Sequence, residues 1–113
     1  MIEMIKSVNC DKKDNVKATI TSEVLNDLKQ SKITVTGIIL FNKVDDESGE
    51  VFPVTALKLK DGKFVTSISP TVRTSAEMIA DSFKEEIETT GIEIEIKKGT
   101  SKGGRTFLIL DLV

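Results

Sequence analysis

A 113-residue chain with 39% hydrophobic and 30% charged residues has the composition of one globular domain, and its formal net charge of −2 gives it no global cationic field for a polyanion. It has no His, no Trp, no Tyr and one Cys, Cys10, which removes the commonest general base and metal ligand, any internal disulfide and any thiolate metal cluster. No apolar run approaches the ~20 residues that span a bilayer, and the start MIEMIKSVNC carries an early acid and no long apolar stretch; the expectation is one cytoplasmic domain, 1–113, with no membrane contact.

Residues 1–31 read as an N-terminal extension. Met1, Ile2, Met4 and Ile5 are apolar, Asp11 to Asn15 is a charged turn, and Val16 to Ile20 alternates weakly enough for a short strand. Thr21 or Ser22 then caps a short expected helix, Glu23 to Gln30.

The clearest patterning starts at Lys32. Ile33, Val35, Ile39 and Phe41 fall on one face at period two, which predicts a strand, and Gly37 within it marks a bulge or sharp bend. The acidic turn Asp45 to Glu50 leads to a second strand, Val51 to Lys60. Val51, Leu57 and Leu59 are assigned to its core face; Phe52, Val54, Lys58 and Lys60 take the other. Asp61-Gly62 is a hairpin signal, and Lys63 to Ser69 is the third strand, with Phe64 and Ile68 on one side and Val65 on the other. Ser69-Pro70 breaks the ladder. Thr74-Ser-Ala-Glu77 has capping-box spacing, and Ala76, Ile79, Ala80, Phe83 and Ile87 follow at helical spacing, predicting a helix over 75–88 capped by Gly91. In the last hairpin Ile92, Ile94 and Ile96 alternate with charges. A basic Gly-rich turn, Lys98 to Arg105, then leads into Thr106 to Val113, with Leu108, Leu110 and Leu112 on the core side and Phe107 opposite.

Strand, strand, strand, helix, strand, strand is the element order of the OB-fold. The expected class is therefore mainly β with one inserted helix, an OB-fold-like five-stranded barrel over residues 32–113. An open α+β antiparallel sheet shares the same order.

Two groups of residues carry binding chemistry. Lys97, Lys98, Lys102 and Arg105 surround Phe107 on the closing hairpin, and Phe52 shares a strand face with Lys58 and Lys60, with Lys63 across the turn. Cations draw a phosphate backbone and an aromatic face stacks a base. Each group also has a plainer reading, a solvated hairpin tip and a face covered by the N-terminal segment. Nothing places a catalytic base beside a nucleophile, and there is no phosphate-binding Gly loop; no enzyme activity, cofactor or metal is expected.

The segment Ile92-Glu-Ile-Glu-Ile-Lys-Lys-Gly-Thr-Ser-Lys-Gly-Gly-Arg-Thr-Phe-Leu-Ile-Leu-Asp-Leu112 resembles the closing hairpin of OB-fold single-stranded DNA-binding proteins of phage or plasmid replication, and Ile33-Thr-Val-Thr-Gly37 is similar to their first strand. The resemblance covers roughly 32–113 and implies sequence-tolerant binding of single-stranded DNA across the outer faces of strands two, three and five. The alternative is a phage or mobile-element module that binds and inhibits a protein; exposed strand edges suit such a protein partner, and a homo-oligomer, equally well.

Overall fold

In the computed structural model, which describes residues 2–20, 22–25, 28 and 31–113, the longest strand organises everything else. It is β3 (Lys32–Val44), preceded by β1 (Ile2–Val8), α1 (Lys12–Ile20) and β2 (Glu23–Val24). It is followed by β4 (Val51–Leu59), β5 (Phe64–Ser67), α2 (Pro70–Ser82), α3 (Lys84–Thr89), β6 (Ile92–Thr100) and β7 (Thr106–Leu112). One edge of β3 pairs with β4 along most of its length. The other edge is divided, with β6 on Lys32–Val35 and β1 on Ile38–Lys43. The sheet runs β2-β5-β4-β3-β6-β7 and curls into a half-barrel, so the OB-like form holds rather than a flat α+β sheet.

A bulge splits β3 in two. The register against β4 shifts between Val35 and Gly37, leaving Thr36 as the extra residue. One inserted residue reverses the alternation of every side chain beyond it. Ile33 and Val35 therefore share the inner core with Ile38 and Leu40, whereas Ile39 and Phe41 belong to a second cluster on the opposite face. The single period-two face expected through Phe41 is corrected on this point. Gly37 has a further duty: a Cβ there would lie 2.7 Å from Cys10 Sγ and 3.2 Å from the Asn9 carbonyl oxygen, so only Gly lets the β1–α1 link pass this close to the sheet.

The inner core, built on Val35, Ile38, Leu57, Val65, Val72, Ile87 and Ile94, is plugged by α2 and α3. The second cluster, Ile39, Phe41, Val54, Ala56 and Phe64, is covered by α1 through Ala18. Residues Val16 to Ile20 are thus helix, not strand. Asp11 starts that helix reciprocally: its carboxylate accepts the Asp14 amide at 2.9 Å and its own amide donates to the Asp14 carboxylate at 3.0 Å. The expected helix at Glu23 to Gln30 is replaced at its start by β2, which runs parallel to β5. Residues 26, 27, 29 and 30 lie outside the described residues.

The inserted helix begins five residues early. Pro70 takes the first helical position, where its missing N–H costs nothing, and Ser69 caps by accepting the Val72 amide. It is also two helices, divided at Phe83. Gly91 ends the second with φ +79°, as the left-handed cap expected there. No helix among the described residues is long and apolar enough to cross a membrane.

Candidate nucleic-acid interface

The closing hairpin pairs in strict register from Ile94–Leu112 to Thr100–Thr106. Its tip is a tight turn in which the Gly104 amide donates to the Ser101 carbonyl and the Ser101 amide to the Arg105 carbonyl, both at 2.9 Å. Gly104 supplies the φ of +78° that this closure needs. Lys102 and Arg105 are thereby held at an exposed tip, and neither has an acidic partner among the described residues.

On the outer face of this hairpin Phe107 lies opposite Gly99. A Cβ at Gly99 would sit 2.6 Å from Phe107 Cζ, so the ring rests directly on the β6 backbone. Phe107 remains partly exposed while Leu108 and Leu110 are buried, as alternation predicts, whereas Leu112, also assigned to the core side, is exposed at the end of β7. Lys98 pairs with Leu108 and so shares the leucine side. Lys97 lies on the Phe107 side but is engaged: its ammonium is 2.7 Å from Asp111 and 3.9 Å from Glu95. The hydrogen bond to Asp111 raises the Lys97 pKa, and the same contact lowers that of Asp111. Asp111 occupies the same face two residues beyond the position opposite Lys97, so this neutralisation was readable from alternation.

The second group is not assembled as a unit. Lys58 points to the α1 side of the sheet and bonds Asp14 at 3.0 Å. Hydrogen bonding to Asp14 raises its pKa. For Asp14, burial pushes the carboxyl up, but the Asp11 amide and the Lys58 ammonium outweigh it and the net direction is down. Cys10 lies beside this pair, its thiol pushed up to about 12 by burial and by the Asp14 charge. The expected path for a strand of DNA, the outer faces of β4, β5 and β7, is therefore interrupted, because α1 packs on the outer side of β4 and β5 through Ala18.

Lys60 and Lys63 flank the β4–β5 turn, closed by the Gly62 amide on the Leu59 carbonyl at 2.9 Å. Lys60 donates its amide to Thr34 and Ile96 donates its amide to Ser31. Both hairpins thus leave the sheet at the N-terminal end of β3, and Lys60, Lys63, Lys98, Lys102 and Arg105 share that end. Phe52 is exposed, but it pairs with Lys43 at the far end of β4. Eight residues at ~3.3 Å each put it about 25 Å from Lys60. Its neighbour is the acidic β3–β4 loop, where the amides of Glu47 and Ser48 hold the Asp45 carboxyl below its ordinary range.

A family model described as phage single-stranded DNA-binding protein, of the Phi29 type, matches residues 15–113. No curated protein and no solved structure matches the chain.

Proposed function

The chain belongs to the phage single-stranded DNA-binding protein family, and we propose that it holds single strands at the end of the half-barrel where its two basic hairpins emerge. Lys98, Lys102 and Arg105 take the sugar–phosphate backbone, with Lys60 and Lys63 extending the cationic track, and Phe107 stacks a base. Phe52 is a separate stacking point at the opposite end, and Lys97 and Lys58 contribute only after exchanging their carboxylate partners. Such contacts reach backbone and ring faces rather than base edges, so binding is tolerant of sequence. The protein works on strands exposed during phage replication in the host cytoplasm.

The observation that carries this reading is the tip itself: cations without acidic partners among the described residues, beside a partly exposed ring seated on Gly99. Anisotropy titration of a labelled oligo-dT at several salt concentrations tests it. Affinity falls steeply with salt and exceeds that for duplex of the same length, because duplex bases are not free to stack. Equal affinity for both, or none for either, refutes it. The edges of β1 and β7 that no strand of the described residues pairs, with Ile2, Met4 and Leu112 exposed beside them, favour a second chain as a further partner; sedimentation across protein concentrations reads that directly.

A further inference from the structure

The half-barrel is open on one side. A fully closed barrel would pair β5 with β7, but β5 pairs with β2 instead. Between the β5–α2 junction and the β6–β7 hairpin lies a groove of about 700 Å³. Val24, Ile68, Pro70 and Leu108 line it, and Ile68 is 70% exposed, an apolar side chain left open to solvent. Ser67 accepts the Ser69 amide and Ser69 accepts the Val72 amide. Each hydroxyl therefore keeps its own proton to donate. Lys98 stands at the same groove, and among the described residues no carboxylate lines it.

An apolar wall, two hydroxyl donors and an ammonium with no carboxylate partner among the described residues match one nucleotide of a polyanionic strand: a base against the wall and a phosphate at the polar side. The alternative face of the sheet is covered by α1. Resting on the single-strand reading above, we propose that this seam groove seats a nucleotide of the bound strand, so that the DNA path runs from the hairpin tip into the opening of the half-barrel rather than over the outer sheet face.

The chain has no Trp or Tyr, which makes one introduced indole a local reporter. Ile68→Trp places it in the groove, and Val16→Trp places it on the exposed side of α1, where Val16 is 55% exposed. Oligo-dT is expected to quench the indole at 68 and leave that at 16 unchanged. Ile68→Asp is expected to weaken binding roughly tenfold, within the range of one lost stacking contact, with melting unaltered because the side chain is exposed. If the wild type binds oligo-dT but the indole at 68 is unquenched, or is quenched no more than that at 16, or if Ile68→Asp binds like wild type, the groove assignment is overturned and the functional reading stands. If the wild type binds no single strand, both fall.

Discussion

Gly99→Ala tests the seat of Phe107, and its effect depends on whether that ring is present. The new Cβ would meet Phe107 Cζ at 2.6 Å and Cε2 at 2.8 Å, so the ring swings off β6. Full burial of a Phe side chain is worth ~1.5–3 kcal/mol; Phe107 keeps part of its surface in water, so losing this contact costs about 1 kcal/mol. Against that, Ala is better than Gly within a strand by ~0.5–1 kcal/mol. In the wild-type background the two effects nearly cancel. With Phe107→Ala already in place only the second remains, and Gly99→Ala stabilises, raising the melting temperature by about 2–4 °C for a domain of this size. The coupling from the double-mutant cycle is about 1 kcal/mol. Circular dichroism melts of the four proteins measure it, since the chain lacks Trp and Tyr. An identical effect of Gly99→Ala in both backgrounds would falsify the claim that the ring rests on the β6 backbone.

Other consequences are as specific. Lys102→Ala weakens oligo-dT binding with a salt slope smaller by roughly one, whereas Phe107→Ala costs ~1–3 kcal/mol of binding and leaves the slope intact; anisotropy over a salt series separates them. Asp14→Ala removes the Lys58 partner and the capping interaction of α1, costing about 1–3 kcal/mol in urea melts, and it speeds thiol labelling of Cys10, whose ionisation burial and Asp14 now oppose; unchanged labelling would show that α1 does not guard the thiol. Asp14 sits below its free value of 3.8, so its stabilisation is complete above that pH and is lost as pH falls through the lower folded value. Lys58 sits above 10.5, so its share persists below that pH and is lost as pH rises through the folded value. Acid melts should therefore lose this contribution below pH 3.8, and the Asp14→Ala protein should lack that part of the acid dependence. Gly91→Ala forces a φ of +79° on a residue with a Cβ that meets Thr34 Cγ2 at 2.8 Å, and is expected to destabilise by about 1–2 kcal/mol in the same melts.

The local patterns carried most of the core. Ile94, Leu108 and Leu110 alternate, Ala76, Ile79, Ala80 and Ile87 recur at helical spacing, and these side chains are buried together because backbone periodicity alone decides which residues share a face. Gly91 and the Asp61-Gly62 turn were legible for the same reason, as positions where left-handed backbone favours Gly. The candidate hairpin was legible too: three leucines on one side of β7 leave Phe107 on the other.

Periodicity fails wherever pairing intervenes. The extra residue at Thr36 reverses the alternation of β3, and a bulge is set by the partner strand, so Phe41 could not be assigned to the second cluster from its own neighbours. Pro70 reads as a break in a strand and as a beginning in a helix; which holds depends on whether Ser69 caps the turn after it, as it does by accepting the Val72 amide. The largest gap concerns α1. Its sequence is polar and short, its helix is stabilised by docking rather than by propensity, and the face it covers contains Lys58, which looked free. The charges themselves were visible in the sequence, and the Lys97–Asp111 pair follows from the alternation of the closing hairpin; that Lys58 is neutralised by Asp14, and which cations stand open at the seam, is decided by side chains that meet only across the folded sheet.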